Sequence, residues 1–445
     1  MRRAVVIGSG PNGLAAAVRL AQAGLAVEVV EAHPEIGGGT RTAELTLPGF
    51  RHDVCSAIHP LARASPVFRG LGIDWVESPA ACAHPFDDGT AVTLERGVDD
   101  TAAQLGADAA AYRRMVRPFL RAVERFVAGR LPLANVGAAF RSARALAEAR
   151  FSGEAARGFF AGHAAHSMLP LERRPSAGFG LALVAFGHVV GWPFPRAGSS
   201  ALAEALAARL RELGGTIRTA VPADELPRAE LVLCDVMPRE LVRLARGRLP
   251  ARYERRLLRY RHGPGAFKVD WALSGPIPWR AEACRRAATV HLGATLDEIS
   301  RSERDNRSAR PFVLLAQQSL FDTTRAPDGQ HTAWAYCHVP NGSTLDRVGA
   351  IEAQVERFAP GFGELVLARS VRLPADLQTD NRNYLGGDIN GGIMDLGQLV
   401  FRPACVPYRT PLRGVYLCSS ATPPGGGVHG LCGVAAARLA LRELR

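Results

Sequence analysis

The feature that most constrains this chain is an apolar run that leads directly into closely spaced glycines. Residues 4–8 read Ala-Val-Val-Ile-Gly, and the pattern Gly-x-Gly-x-x-Gly is formed by Gly8, Gly10 and Gly13. A small-residue helix over 14–23 and a second strand over 26–30, which ends before Glu31, follow. The first glycine allows a tight turn, the second lets a pyrophosphate approach the backbone, and the third lets helix and strand pack closely. The opening therefore predicts a Rossmann-like α/β unit that binds a dinucleotide.

In such a unit the phosphates lie at the helix N-terminus, where free N–H groups and the helix dipole favour negative charge. We expect Pro11 and Asn12, within the turn, to belong to this site. Glu31 follows Gly13 at about the spacing of a carboxylate that accepts hydrogen bonds from a ribose. The same glycine pattern recurs at 425, 427 and 430, with one strand over 415–419 and one helix around it. Because it lacks the second strand and its acid, we expect only the first copy to bind the adenosine half.

A second glycine loop follows the predicted ribose acid closely, as Gly37-Gly38-Gly39-Thr40-Arg41. Backbone close to a ligand, together with an arginine fork on phosphate, suits a long dinucleotide with a buried pyrophosphate. A plain NAD site does not need such a loop. We therefore expect Gly38, Gly39, Thr40 and Arg41 to bind the cofactor.

Composition excludes several classes of protein. With 445 residues, 47% hydrophobic and 22% charged, the chain is globular and long enough for several domains. A net charge of +12 would permit a nucleic-acid partner, but arginines spread along the chain supply all cations except Lys268. That distribution favours a solvated surface, so we expect no nucleic acid. The eight cysteines show no Cys-x-x-Cys and no zinc-ligand spacing, which predicts free thiols in a reducing cytoplasm and no metal.

The nucleotide fold is predicted to be interrupted. Its parts are expected at 1–70, 196–262 and 396–445, with a helical and substrate lobe at 71–195 and a substrate domain at 263–395 whose strands alternate. Helical periodicity runs from about 102 to 150. The charge-free segment 175–195 contains His188 and several glycines, which favours a buried helix lining a cavity over a membrane span.

Three stretches together carry a family resemblance: the N-terminal block, the helix start at Gly198-Ser199-Ser200, and the run over 416–430. They resemble the phytoene desaturase and amine oxidase superfamily of FAD flavoproteins, and most of all its phytoene dehydrogenase-like oxidoreductases. The resemblance implies that the opening glycines and Glu31 hold the AMP half of FAD and that Arg41 lies beside the pyrophosphate. It also implies that Val221, on the strand after Gly215, contacts adenine through its backbone. The residues implied beneath the isoalloxazine ring are Gly426, Gly427, Val428 and His429.

Three residues are candidates for catalysis. Lys268 is the sole lysine and resembles in position the lysine that amine oxidases hold near flavin N5; the alternative is a chance surface cation. His429 lies in the glycine loop of the ring, and His59 follows the cofactor block. Single histidines are more often structural groups, and that alternative stays open for both. The turn over 384–390 could close over the ring or be an ordinary turn.

The sequence thus predicts an FAD-dependent oxidoreductase that moves a hydride from an apolar small molecule to flavin N5. Because no second nucleotide motif is present, we expect oxygen or a quinone to reoxidise the flavin. Two alternatives remain: a flavin-dependent amine oxidase, which would need an aromatic cage, and a non-catalytic flavin-binding regulatory protein. We expect a cytoplasmic location, with peripheral membrane contact through the helical lobe left open together with the oligomeric state.

Overall fold

A computed structural model of the protein describes residues 2–127, 137–404 and 406–444; Cys405 and part of the predicted helical stretch lie outside them. The strands are β1 (Arg3–Ile7), β2 (Ala26–Val30), β3 (Thr42–Glu44), β4 (Arg51–Asp53), β5 (Trp75–Val76), β6 (Cys82–Pro85), β7 (Ala91–Leu94), β8 (Phe194–Pro195), β9 (Thr216–Arg218), β10 (Leu231–Cys234), β11 (Gly265–Leu273), β12 (Thr289–Leu292), β13 (Val313–Ala316), β14 (His331–Val339), β15 (Val366–Arg372) and β16 (Val415–Leu417). The helices are α1 (Pro11–Ala21), α2 (Pro60–Ala64), α3 (Val98–Ala103), α4 (Ala109–Val127), α5 (Ala143–Arg150), α6 (Glu154–Ala165), α7 (Ser176–Val190), α8 (Ser200–Glu212), α9 (Pro238–Ala245), α10 (Ala251–Leu258), α11 (Leu296–Asp305), α12 (Val348–Phe358), α13 (Pro374–Asp380), α14 (Leu396–Val400) and α15 (Leu431–Glu443).

The first sheet has five parallel strands in the order β16-β10-β1-β2-β9. Its strands come from three separated stretches of the chain, and α1, α8 and α15 contribute to the core beside it. The central strands are buried between layers, which explains their nearly unbroken apolar runs. This is the predicted Rossmann-like α/β architecture. The exact domain boundaries stay predictions.

The second sheet has seven strands in the order β15-β11-β14-β13-β12-β6-β7. All its pairs are antiparallel except β12 with β6. Strands β11 to β14 lie where alternating strands are expected. Strands β6 and β7 come from the stretch before α3, in which the sequence analysis predicted no strand, because four-residue strands give too short an alternation to read.

Helices α3 to α7 form the helical lobe beside this sheet. The predicted periodic face of α4 is buried through Tyr112, Met115, Val116 and Phe119. Helix α7 packs in the same core, as expected of the charge-free segment. Within the described ranges, no helix combines the length and apolar character that crossing a membrane requires.

Candidate functional site

The glycine turn between β1 and α1 has the geometry that its sequence predicts. Gly8 has a φ of +97°, which side-chain-bearing residues rarely adopt. A Cβ on Gly13 would lie 2.1 Å from the carbonyl oxygen of Gly8, so only glycine lets the helix start approach the strand this closely. No side chain caps α1 at Gly10, and its first turn holds no acidic residue. Apart from the N–H of Gly13, which donates to Asp235, this N-terminus is therefore open to an anion.

Glu31 is fixed at the carboxyl end of β2 and faces the turn. Its Oε2 accepts hydrogen bonds from the N–H and hydroxyl of Ser9, at 2.8 and 2.7 Å, and its Oε1 accepts from the N–H of His33 at 2.8 Å. The N–H of Val221 donates to the Glu31 carbonyl oxygen at 2.8 Å. Since β9 ends at Arg218, the expectation that Val221 lies on a strand is wrong. Its backbone nevertheless lies beside Glu31.

Arg41 is nearly buried and is held by groups from distant parts of the chain. Its Nε donates to the carbonyl oxygen of Gly38 at 3.0 Å, and its Nη2 donates to Asp380 Oδ2 at 2.9 Å. Arg372 donates to the same Asp380 oxygen at 2.9 Å. The sequence analysis singled out Arg41 but missed Asp380, whose role becomes visible only when α13 is placed against the glycine loop.

Asp235, directly after β10, is the main acidic residue that the sequence analysis missed. Its Oδ2 accepts the N–H of Gly13 at 2.9 Å and lies 2.9 Å from the point where Gly10 would carry a Cβ. Burial, reinforced by the negative charge of Glu31, raises the pKa of Asp235 to about 7. A charged residue at the carboxyl end of an apolar strand was the available signal, because ligands of such sheets bind at that edge.

A cavity of about 610 Å³ runs from the glycine turn into the space between the two sheets. It lies within the usual range for ligand and cofactor sites. Of the predicted cofactor residues, those that line it are Gly8, Gly10, Pro11, Asn12, Glu31, Gly38, Gly39, Thr40, Arg41, Val221, Gly427 and Val428. Gly13 lies behind the turn, whereas Gly426 and His429 are not among the lining residues.

The far end of the cavity, which we call the inner chamber, is lined by residues of the second sheet and the helical lobe. Its members are His166, Leu183, Trp192, Thr289, Leu314, Trp334 and Tyr336. His166 is the one basic residue of this set, and burial lowers its pKa to about 3, so none of these side chains is ionised at neutral pH. The charged lining residues belong instead to the nucleotide end, and they are Glu31, Arg41, Asp235, Glu240, Arg243, Asp380 and Arg382.

Two aromatic rings stand side by side in the inner chamber. The rings of Trp334 and Tyr336, two positions apart on β14, have centroids 5.8 Å apart and planes only 13° from parallel. A group held between two rings needs them about 7 Å apart, at roughly 3.5 Å from each. The pair therefore forms a continuous surface rather than a cage with a substrate between its rings.

Lys268 lies behind that surface. It is 3% exposed, pairs with the fully buried Asp270, and has its Nζ 5.1 Å from the centroid of the Trp334 ring. His52 is the second partner of Asp270, at 3.5 Å. Burial alone would raise the pKa of Asp270, but the charge of Lys268 and the hydrogen bond from His52 lower it. Lys268 is thus no surface cation, but it does not itself line the cavity.

The two candidate histidines serve the fold around the cavity. His59 shares a hydrogen bond of 2.8 Å with the hydroxyl of Ser199, and burial lowers its pKa to about 4. His429 Nδ1 accepts the N–H of Leu431 at 3.1 Å, so its Nε2 carries the proton shared with the Gly425 carbonyl oxygen. Neither ring lines the cavity. In the turn over 384–390, by contrast, Tyr384 and Asn390 do line it.

Comparison with known proteins adds independent information. Residues 6–71 match the family described as an NAD(P)-binding Rossmann-like domain. The chain is 25% identical to the mouse protein named pyridine nucleotide-disulfide oxidoreductase domain-containing protein 2, over 99% of this chain and 94% of that one. It is 26% identical to phytoene dehydrogenase of Streptomyces griseus, over 83% and 78%. A crystallised putrescine oxidase variant has the same fold, with a TM-score of 0.64, 16% identity and coverage of 99% and 98%.

These matches support the resemblance to the phytoene desaturase and amine oxidase superfamily of FAD flavoproteins. A flavin dinucleotide, the cofactor type of this superfamily, fits the residues of this chain. Asn12 lines the cavity at the start of α1, and its buried Oδ1 has no partner among the described residues. At the other end, Gly427 lines the cavity with a φ of +107°, and a Cβ there would lie 2.6 Å from the end of the Leu61 side chain. Both ends of the site therefore offer bare backbone to a ligand.

Proposed function

We propose that this protein is an FAD-dependent oxidoreductase, similar to the phytoene dehydrogenases, that oxidises an apolar small molecule. One observation carries the proposal: a single cavity joins a dinucleotide turn to an uncharged, aromatic chamber. When bound, FAD would supply the acceptor for a hydride taken from a substrate carbon. The chain itself binds and orients the cofactor and the substrate, and it excludes water from them.

The nucleotide end would hold FAD through backbone and charge. The uncapped start of α1 and Arg41 would face the pyrophosphate, and Glu31 and the backbone of Val221 would face the adenosine. Gly427 and Val428 would lie against the ring, just before α15 begins at Leu431. A helix N-terminus there favours negative charge on the reduced ring.

The inner chamber favours an uncharged substrate. A cationic amine placed there would be desolvated without a carboxylate to pair with, which costs several kcal/mol. The Trp334 and Tyr336 surface also lacks the separation of a cage. These two observations favour an apolar carbon substrate over the amine that the amine oxidase alternative requires.

Lys268 is proposed as a positioning residue rather than a direct participant. Its ammonium lies against the Trp334 ring and near Cys55, which lines the cavity. Lys268→Arg should slow flavin reduction or reoxidation while the FAD content stays that of the unaltered protein, because the charge is kept but its compact shape is lost. Arg357→Lys is the matched control, since it exchanges the same two cation types at a residue that pairs with Asp87 and Glu298 and does not line the cavity. Equal rates in all three proteins would remove the role of Lys268.

The function is tested on the purified, FAD-loaded protein. Anaerobic photoreduction followed by mixing with oxygen or a soluble quinone should restore the oxidised flavin spectrum, as oxygen or quinone is the proposed acceptor. Apolar polyenes and cyclic alkenes should bleach the flavin anaerobically, and primary amines should not. Bleaching by amines alone would favour an amine oxidase. Absence of any bleaching and of any productive reoxidation would favour a non-catalytic flavin-binding protein.

A further inference from the structure

Next to the inner chamber lies a second group of chemistry-bearing side chains, which we call the histidine cluster: Cys82, His84, His163 and His291. Cys82 and His84 point to one face of β6, His163 lies on α6, and His291 lies on β12. All four are 0% exposed. One ligand atom from each of Cys82, His163 and His291 lies within 4.8 Å of the others.

Hydrogen bonds to the backbone fix which ring nitrogens carry protons. His163 Nδ1 lies 2.8 Å from the carbonyl oxygen of Phe159, and His84 Nε2 lies 2.7 Å from that of Ala294. A carbonyl oxygen only accepts, so these nitrogens are the protonated ones and the opposite nitrogens carry lone pairs. A second proton on the opposite nitrogens would be buried without an acceptor among the described residues, which favours the neutral form of both rings.

The lone-pair nitrogens have no donor. His163 Nε2, His84 Nδ1 and His291 Nδ1 are all buried and unpartnered within the part of the chain that the structure describes. Two of them border a space that exists because residue 162 is glycine. A Cβ there would lie 2.9 Å from His291 Nδ1 and 3.1 Å from His84 Nδ1. Cys82, His163 and His291 therefore offer ligand atoms close enough to share one ion, and the unpartnered His84 Nδ1 lies beside them. The Cys82 thiol donates to the carbonyl oxygen of Ala83 at 3.5 Å and would give up that contact on binding a metal.

We propose that the histidine cluster binds a zinc ion through Cys82, His163 and His291, with His84 as the fourth candidate ligand. Neutral imidazoles and a thiolate are the ligands zinc prefers, in tetrahedral sites with bonds of about 2.0 to 2.3 Å. Such bonds set ligand atoms about 3.5 Å apart, so binding would draw the present atoms together by about 1 Å. A single buried water is the weaker occupant, because its two hydrogens cannot serve three lone pairs.

The surroundings support a metal site in a further way. A metal-ligating histidine usually donates its other ring N–H to a carbonyl or another acceptor. His163 already does so to Phe159, and His291 Nε2 lies 2.9 Å from His166 Nε2. Metal on His291 Nδ1 would place the proton on its Nε2 and so leave His166, which lines the inner chamber, protonated on Nδ1. The site would thus link β6, β12 and α6 and set one polar group of the chamber.

The sequence analysis expected no metal because no zinc-ligand spacing is present. The proposed site departs from that expectation, because its ligands come from three elements separated by long stretches of chain and form no spacing motif. The zinc proposal does not depend on the proposed function. A preparation without flavin would leave it intact, and a preparation without zinc would leave the flavin proposal intact.

The test is metal analysis of the full chain. Protein loaded with excess Zn²⁺ and dialysed against metal-free buffer should retain about one zinc per chain. Replacement by Co²⁺ should give the visible spectrum of a tetrahedral site with a thiolate charge-transfer band. Cys82→Ser should abolish that band, and His163→Gln should reduce retained metal to background. A chelator should lower the Tm of the unaltered protein but not that of Cys82→Ser.

Two variants are matched controls. Cys284→Ser alters another buried cysteine, and His188→Gln alters another buried histidine, which hydrogen-bonds to Tyr112; both should keep full metal content. If the cluster variants fail to fold, the Co²⁺ spectrum and chelator response of the unaltered protein still decide. No retained zinc in the unaltered protein, a Co²⁺ spectrum without the thiolate band, or an unchanged band in Cys82→Ser would overturn the proposal.

Discussion

Replacing Asp235 with asparagine should stabilise the protein, and the gain should depend on pH. The carboxyl is buried beside Glu31, and its pKa is raised from the ordinary 3.8 to about 7. At about 1.4 kcal/mol for each tenfold change in acidity, this corresponds to roughly 4 kcal/mol between the two protonation states. Asparagine keeps an oxygen that can accept the N–H of Gly13, now 2.9 Å from Asp235 Oδ2. The variant therefore loses the charge and keeps the contact.

The sign follows from proton binding. Between pH 3.8 and about 7 the folded protein holds the Asp235 proton and the unfolded chain does not, so rising pH removes stability. The free energy of unfolding of Asp235→Asn should match that of the unaltered protein near pH 3, below the ordinary pKa of the carboxyl, and should already exceed it by about 1 kcal/mol at pH 4.5. By pH 8 the free energy of unfolding of Asp235→Asn should exceed that of the unaltered protein by up to about 4 kcal/mol, and the difference should not grow further at higher pH.

Urea unfolding of the FAD-free protein at several pH values measures this difference. The reasoning is refuted by a difference that does not change with pH, or by a variant that becomes the less stable one as pH rises. In the proposed flavoprotein the pyrophosphate would add negative charge beside the carboxyl. The Kd for FAD should then rise with pH near 7 in the unaltered protein and change less in Asp235→Asn.

Two further predictions concern single residues. Gly13→Ala should lower the free energy of unfolding by about 3 kcal/mol or more and prevent FAD binding, because its Cβ would lie 2.1 Å from the Gly8 carbonyl oxygen. The control is Gly349→Ala on α12, where a Cβ meets nothing within 4 Å, and it should leave stability unchanged or raise it. Equal effects of the two substitutions would contradict the close-packing argument. Asp108→Asn should show the opposite pH dependence to Asp235→Asn. Although burial opposes it, hydrogen bonds from Ser152 and Gly153 lower the pKa of Asp108. The stability that this carboxylate adds at neutral pH should disappear as pH falls through its lowered pKa. Urea unfolding should therefore find Asp108→Asn less stable than the unaltered protein at neutral pH but not in acid, and a difference that persists unchanged in acid would contradict the lowered pKa.

Local patterns predicted the nucleotide half well. Strands β2 and β10 lie at the predicted residues, and the glycine turn has the predicted geometry because it depends on neighbours within a few residues. Glu31 and Arg41 were predicted as cofactor residues because each belongs to a short motif, and both line the cavity. Such features depend on residues close to one another in the sequence, so they can be predicted without knowing the rest of the fold.

The parts that the sequence did not predict depend on contacts between distant residues. Asp235 meets Gly13 across 222 positions, and Asp380 meets Arg41 across 339. Composition drew attention to Lys268, but only the pairing of β11 with β14 shows that its charge lies behind Trp334. The same holds for the histidine cluster, whose members share no motif.

The order of strands in the first sheet constrains how the protein is made. β16, formed by residues 415–417, pairs with β10, and Gly427 and Val428, which line the cavity, follow it. A ribosome completes the opening glycine turn early, yet the opposite end of the proposed cofactor pocket does not exist until residues 415–428 have been made. Cofactor capture should therefore wait for that segment, and a nascent chain stalled before residue 415 should bind FAD only weakly.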